Sequence, residues 1–436
     1  TLGLLHGVPI LLKDNIETKD PLATTAGALA LKDNITGRDS PLVAGLRDAG
    51  AIILGKANLS QWANFRSNDS MSGWTALGGQ VRNPHMLDRN PCGSSSGSGA
   101  GAASSMAAGA VGTETNGSVI CPSNANGIVG FKPTVGLVSQ QYIVPISSTQ
   151  DTAGPMTKSV MGAAMMMNAM ATGSAKKDYV AALDQDILRG KRVGVLRYST
   201  GSNKDINMLF EESLNVLKEA GAELVEITKN PIELNEFGQY SFDVLLYEFK
   251  ATLNEYLAAT PDTVKTRSLA EVIAFNIENA EVELALFDQS IFDAAEITSN
   301  LDDPRYIAAR DAVLKATRED GIDKLLAEHN VDVLVAPSGP TVPRVDPING
   351  DVWPPFPGSG SMAAIAGYPH ITVPMGTIHS LSVSFSFMGA KDDDAKVLSY
   401  GYAFEQLTNE RAEPQYYTNA EDLPDIAAAM RGQKRN

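Results

Sequence analysis

Residues 92–136 read CGSSSGSGAGAASSMAAGAVGTETNGSVICPSNANGIVGFKPTVG. So much Gly, Ser and Ala in one segment belongs either to a solvated linker or to a tightly packed interior, and the neighbouring residues decide between them. Ala and Met are interleaved from Ala100 to Ala110, and Ile128-Val129-Gly130-Phe131 follows. A flexible Gly/Ser linker has no such apolar anchor. Glycine permits close backbone approach and positive φ, while serine supplies hydroxyls that act as nucleophile, proton relay or donor. The segment is read as a catalytic core.

Working outward, Pro41 to Ala49 has helical spacing, Gly50 stops it, and Ala51-Ile52-Ile53-Leu54 reads as a buried strand. The same rhythm returns at Arg192 to Leu196, a helix through about Ala220, Gly221, and a strand from Glu223 to Ile227. A third instance is a helix from Asp320 to His329 leading into the apolar run Val331 to Pro337. Late strands are expected at Ile371 to Val373 and Leu381 to Phe387, before a last long helix from about Asp394 to Thr408. Apolar strands alternating with helices predict an α/β/α sandwich, a large mixed sheet covered by helices on both faces. Residues 240–316 carry Glu, Asp, Ala and Leu at helical spacing and are read as a helical insertion, able to cap a site, in one domain spanning 1–436. Met161, Met165, Met166, Met167 and Met170 fall on a helix as adaptable core packing. The acidic run Asp392-Asp393-Asp394 precedes a helix and favours its N-terminus.

The chain has 436 residues and a formal net charge of −16. That balance argues against a nucleic-acid-binding surface, which needs clustered Lys and Arg, and so disfavours a role tied to tRNA. No run of 18 apolar residues occurs. Cys92 and Cys121 are the two cysteines, too few for a disulfide framework, and are expected to be small buried fillers.

Three blocks at fixed spacing resemble the amidase signature family. Gly93-Ser94-Ser95-Ser96 matches its first Gly/Ser turn. Gly112-Thr113-Glu114-Thr115-Asn116-Gly117-Ser118-Val119 matches its second element, Gly130-Phe131-Lys132-Pro133-Thr134 its close, and Gly7-Val8-Pro9-Ile10-Leu11-Leu12-Lys13-Asp14-Asn15 its upstream block. The resemblance extends through Asp151-Thr152-Ala153-Gly154-Pro155 and Gly367-Tyr368-Pro369 to most of the chain. It implies the sandwich fold and amide hydrolysis to acid and ammonia, with no cofactor, metal or obligatory protein partner. Family members carry some tens of largely helical residues before the Lys13 strand, so the N-terminal part is expected to be missing here and the compartment is not readable.

Amide hydrolysis needs a nucleophile, a base, a donor for the leaving nitrogen and hydrogen bonds for the oxyanion. Ser118 ends a Gly-rich turn in which the N–H groups of Thr115, Asn116, Gly117 and Ser118 can converge on one point, so Ser118 is assigned as nucleophile and the turn as oxyanion hole. Lys13 follows Ile10-Leu11-Leu12, which places its ammonium near the core, where desolvation favours the neutral base. The resemblance supplies the relay: a second serine on a cis peptide bond, here Ser94. Asp14 and Asn15 are expected to support the site through hydrogen bonds, and Ser95 and Ser96 to be structural or, like Ser95, to support the catalytic residues from behind.

Gly93-Ser94-Ser95-Ser96-Gly97 also fits the Gly-x-Ser-x-Gly elbow, with Ser95 as nucleophile and His370 or His379 as its base, but no strand precedes it. Gly97-x-Gly99-x-x-Ala102 imitates a dinucleotide fingerprint with the same defect. Neither a phosphate-binding Gly-Lys-Ser/Thr nor His-Glu-x-x-His occurs. Three positions depart from the family pattern: Glu114 for Asp, Asn116 for Gly, and Ile120 for the Arg two residues after the nucleophile. The variant Gly-Thr-Glu-Thr-Asn-Gly-Ser…Ile-Cys-Pro resembles bacterial peptide amidases, which implies C-terminal peptide amides as substrates, ahead of simple aliphatic or aromatic amides. An inactive binding protein and the glutaminase-like component of an amidotransferase are the outside alternatives.

Overall fold

The computed structural model describes residues 2–173 and 176–432. Twelve strands occur among them: β1 (Pro9–Lys13), β2 (Ile52–Ala57), β3 (Trp74–Thr75), β4 (Gly79–Gln80), β5 (Gly109–Glu114), β6 (Val129–Lys132), β7 (Thr152–Thr157), β8 (Arg192–Leu196), β9 (Glu223–Ile227), β10 (Val333–Pro337), β11 (His370–Ile378) and β12 (Leu381–Met388). β3 and β4 form a small hairpin, and the other ten make one sheet in the order β2-β1-β5-β7-β6-β11-β12-β10-β8-β9. The sheet is mixed. β2, β1 and β5 run parallel at one end and β10, β8 and β9 at the other, while the neighbours between them pair antiparallel.

Alternation along the strands places apolar residues on both faces of the sheet. Val111, Val333, Val335 and Phe387 face one apolar layer, whereas Ala110, Leu334, Ala336 and Met388 face two others. The first layer is roofed by α1 (Pro41–Asp48), α4 (Val160–Met170), α5 (Lys204–Glu219) and α13 (Asp394–Thr408), whose inward residues share its cluster. The opposite face carries α2 (Ser96–Ala103), α3 (Ile120–Asn126), α11 (Asp323–Glu328) and α12 (Gly360–Ala366). Both faces of the sheet are therefore covered, as the α/β/α reading requires. Local rules set the helices: α5 starts at Asn203, whose side chain accepts from the Asp205 and Ile206 N–H groups, and buries Ile206, Phe210, Leu214 and Leu217 at helical spacing.

The expected elements recur with three differences. β2 is an edge strand, so Ile52 and Leu54 are each 53 % exposed rather than buried. The helix expected over 320–329 is broken by Gly321, which leaves an irregular turn and then the short α11. Asp394 opens α13, but its carboxylate is buried and accepts from the Thr134 N–H and hydroxyl at 2.8 and 2.6 Å, pinning the Gly130–Thr134 block to that helix. Met166, Met167 and Met170 pack in the first layer.

Between 237 and 317 lie α6 (Phe237–Ala258), α7 (Leu269–Glu278), α8 (Ala280–Glu283), α9 (Ser290–Glu296) and α10 (Pro304–Thr317), which pack around Phe249 and Phe292 together with Trp62, Phe65 and Ile146, and around Tyr306 together with Ile365. α14 (Pro424–Arg431) follows near the C-terminal end. No helix among the described residues is long and apolar enough to cross a membrane.

Phe385 of β12 is fully buried against Phe210, Phe387 and Phe404, with ring centroids 5.2, 5.0 and 4.8 Å away. Phe385→Ala should lower unfolding stability by about 3–5 kcal/mol, read as a fall in the denaturation midpoint.

Candidate active site

Lys13 is the last residue of β1, and its side chain is fully buried. Its Nζ meets three oxygens: Ser94 Oγ at 2.7 Å, Thr113 Oγ1 at 2.8 Å and the Thr113 carbonyl at 3.1 Å. None belongs to a carboxylate. Burial lowers the Lys13 pKa from 10.5 to about 7, opposed by the nearby charges of Asp151 and Glu114. Register explains why the residues meet. β1 pairs with β5 through Leu12 and Val111, so the end of β1 and Thr113 on β5 project toward the same place.

The first Gly/Ser turn arrives from the other side. The Gly93–Ser94 peptide bond is cis. Ser95 follows at the start of α2, where its hydroxyl donates to the Thr113 carbonyl at 3.0 Å and accepts the Thr113 N–H at 3.1 Å. That double bond to β5 holds the turn against Lys13. It also turns Ser95 inward, fully buried, which is a structural role and not that of an exposed elbow nucleophile. His370, the other half of the elbow reading, is buried with Nε2 2.7 Å from Ser386 Oγ. Close packing sets the glycines here: a Cβ on Gly97 would stand 2.3 Å from the Asn58 carbonyl oxygen.

Thr115, Asn116, Gly117 and Ser118 form one turn between β5 and α3, and Gly117 adopts φ +86°, a region that favours glycine. Both ends of the turn are clamped. Thr115 donates its hydroxyl to Asp151 at 2.6 Å, and the same carboxylate accepts the Ile146 and Ser147 N–H groups. At the exit, Glu114 is buried and accepts the Val119 and Ile120 N–H groups at 2.8 and 3.0 Å, at the start of α3. Burial raises the Asp151 pKa to about 6 against the pull of its hydrogen bonds. The Ser118 turn then joins the Ser94 turn in two ways. The Ser95 N–H donates to the Ser118 carbonyl at 3.3 Å. Cys92 and Cys121 are bonded as a disulfide with Cα atoms 5.9 Å apart, so they are not the separate fillers expected from their number. The fold brings two residues 29 apart together because α3 packs beside the first turn, a proximity that spacing alone does not disclose.

The supporting residues divide. Asn15 donates Nδ2 to Thr113 Oγ1 at 3.0 Å and thereby shares the oxygen that Lys13 uses. Asp14 points elsewhere: it accepts from the Thr25 hydroxyl and lies 3.7 Å from Lys56 Nζ, so it braces the strand end rather than Lys13. Thr113, Asp151 and the clamping role of Glu114 were not anticipated from the sequence. Lys132 in the closing block is likewise fully buried, and burial lowers its pKa to about 8.

A cavity of about 450 Å³ opens over the turn, with Asn116, Gly117, Ile120 and Cys121 in its wall beside Tyr198, Phe237 of α6 and the 357–362 segment. Among the described residues no charged side chain lines it. Asn116 accepts the Ser361 hydroxyl at 3.1 Å across this space.

The profile of the Amidase family matches residues 1–398. The chain belongs to that family. Among curated relatives, this amidase is 38% identical over 436 residues to a probable amidase of Arabidopsis thaliana, covering 95% of this chain and 79% of the relative. It is 30% identical over 432 residues to a component of the glutamyl-tRNA(Gln) amidotransferase of Caldanaerobacter subterraneus, covering 94% of this chain and 85% of that one. Among solved structures it is similar to the native peptide amidase of Stenotrophomonas maltophilia, at 45% identity and a TM-score of 0.89, over 95% of this chain and 85% of that chain. The amidase is thus a hydrolase of amide C–N bonds.

The disulfide closes a 29-residue loop around the site. Replacing both cysteines of the amidase with Ala should cost about 3–4 kcal/mol on the chain-entropy account, measured as a lower denaturant midpoint than that of the oxidised protein.

Proposed function

We propose that this amidase hydrolyses the C-terminal amide of peptides, with Ser118 as nucleophile, Ser94 as relay and Lys13 as base. The observation that carries the reading is a buried amine hydrogen-bonded, among the described residues, only to neutral oxygens, one of which belongs to Ser94. With two positions on Nζ directed at the Thr113 carbonyl and hydroxyl, the third faces Ser94. In the neutral amine that third position is the lone pair, able to take the Ser94 proton while Ser94 takes that of Ser118. The 115–118 turn then offers its N–H groups to the oxyanion, held in place beforehand by Asp151 and Glu114. Ser118 Oγ bonds the amide carbon, the C–N bond breaks as the proton passes through Ser94 to the departing nitrogen, and water then releases the acid from the acyl-enzyme.

The uncharged cavity supports a neutral acyl group of peptide size, and Ile120 in place of Arg removes a partner for a substrate carboxylate. The Tyr198 hydroxyl, buried with no hydrogen-bond partner among the described residues, lies in the same wall and suits a peptide carbonyl. The similarity to a peptide amidase agrees with this assignment. We further read the chain as one amidase domain acting without a protein partner, in which the 240–316 helices cap the site: α6 places Phe237 in the cavity wall, and its Glu248 accepts from Ser147 and Thr149 beside Asp151.

Ammonia release from a C-terminally amidated dipeptide, an aliphatic amide, an aromatic amide and free glutamine tests the reading. The dipeptide amide should be turned over best. Ser118→Ala should lose about 10⁶-fold in kcat, and Lys13→Ala and Ser94→Ala about 10³-fold, with the fold retained by circular dichroism. Retained activity in Ser118→Ala would overturn the assignment, and preference for glutamine would move the chain to the amidotransferase class.

Because the working base is neutral Lys13, kcat/KM should rise with pH through about 7 and level off above it. Ionisation of Asp151 near 6 acts in the same direction, since only the carboxylate accepts all three of its hydrogen bonds. A pH–rate profile that falls across that interval would contradict a lysine base.

A further inference from the structure

Beside Ser94, on the wall that includes Thr113, Thr115 and Asp151, lies a second cavity of about 10 Å³. That is room for one water-sized molecule. Its lining is polar where it meets the site. Asn15 is 3 % exposed and belongs to this wall. Its Nδ2 serves Thr113 and the Val144 carbonyl, whereas Oδ1 receives no hydrogen bond among the described residues. A buried acceptor without a donor is costly, and a small ligand with N–H or O–H groups would satisfy it. The remaining wall is apolar or amide: Ile143, Val144, Ile146 and Gln140.

We propose that this cavity receives the nitrogen half of the substrate, and that its size confines the amidase to primary amides. The proposal rests on the Lys13, Ser94 and Ser118 reading. When the C–N bond breaks, the nitrogen must stand next to the group that protonates it, which is Ser94, and Ser94 is part of this wall. A departing –NH₂ takes one proton and leaves as ammonia, whose size matches the space. Water, of equal size, then takes the same place: its oxygen bonds the acyl carbon, the Ser118 O–C bond breaks, and the proton returns to Ser118 through Ser94. A nitrogen carrying a further residue has no room. The larger cavity, with Asn116 and Gly117 in its wall, takes the acyl half, and the difference in volume between the two separates removal of a terminal amide from cleavage inside a peptide.

The barrier is specific. Gln140, Ile143 and Asp151 also line a wider cavity of about 420 Å³ on the far side. They stand between the two spaces, so removing the Ile143 side chain should join them and admit an N-alkyl group.

The experiment compares kcat/KM for one peptide as its primary amide, N-methylamide and N-propylamide, in wild type, Ile143→Ala, Ile143→Val and Gln140→Ala. Wild type should prefer the primary amide to the N-propylamide by about 100-fold or more. Ile143→Ala should raise the ratio of N-propylamide to primary amide about tenfold, and Ile143→Val by less. Wild-type turnover of the N-propylamide within threefold of the primary amide, with Ser118→Ala inactive, would overturn the size filter and leave the catalytic reading standing. A folded Ile143→Ala whose ratio does not move would remove Ile143 as the barrier and overturn the proposal. If neither Ile143 variant folds, the wild-type ratio and Gln140→Ala decide. Absence of turnover on every amide would reject the catalytic reading and this proposal together.

Discussion

The site depends on a lysine amine placed where a charge is expensive. Lys13 is buried with no carboxylate bonded to it among the described residues, although Asp151 and Glu114 are near enough to influence it. Those two carboxylates are occupied: Asp151 by a hydroxyl and two backbone N–H groups, Glu114 by two N–H groups at the start of α3. Had either carboxylate bonded Nζ, the pair would have kept the lysine charged. Directing the acidic groups onto the backbone leaves the amine near neutrality in pKa and at the same time fixes the turns around it. The negative charges thus serve as clamps.

The Gly/Ser-rich segment makes sense in that setting. It supplies two turns that must lie almost against each other, and bulky residues would hold them apart. Ser95 bonds across to β5, its N–H reaches Ser118, the disulfide ties the residue before the first turn to the helix after the second, and Gly97 lies flush on the Asn58 backbone. Serine hydroxyls here do what side-chain packing does in an apolar core. They fix position by satisfied hydrogen bonds, which have a direction as well as an energy.

The sheet and its two helical layers were legible in the sequence from apolar strands with helical spacing between them, whereas the contact between Lys13 and Ser94 was legible through the resemblance of their motifs to the amidase signature family. What escaped depended on distance. Asp151 reaches Thr115 across 36 positions, and Glu248 reaches Ser147 across 101, so nothing in either neighbourhood announces the partner. Two cysteines carry no pairing information until α3 is seen beside the first turn. Ile52 and Leu54 look like core residues in composition, and only strand order reveals that β2 closes an edge. Asp14 shared the motif with Lys13 and Asn15, yet alternation along the chain sends it to the opposite side, to Thr25 and Lys56.

The parallel pairing of β1 with β5 joins positions about a hundred residues apart, and Lys13 is separated from Thr113 by 100 and from Ser94 by 81. Contacts of that range form only after a long loop has closed, which makes them slow and late relative to local helices. The contacts of Lys13 therefore belong to the non-local part of the fold. A chain with all its helices in place but β1 undocked would look substantially folded to spectroscopy and yet lack the contact between Lys13 and Ser94, so recovered turnover, more than recovered helicity, marks the completed topology.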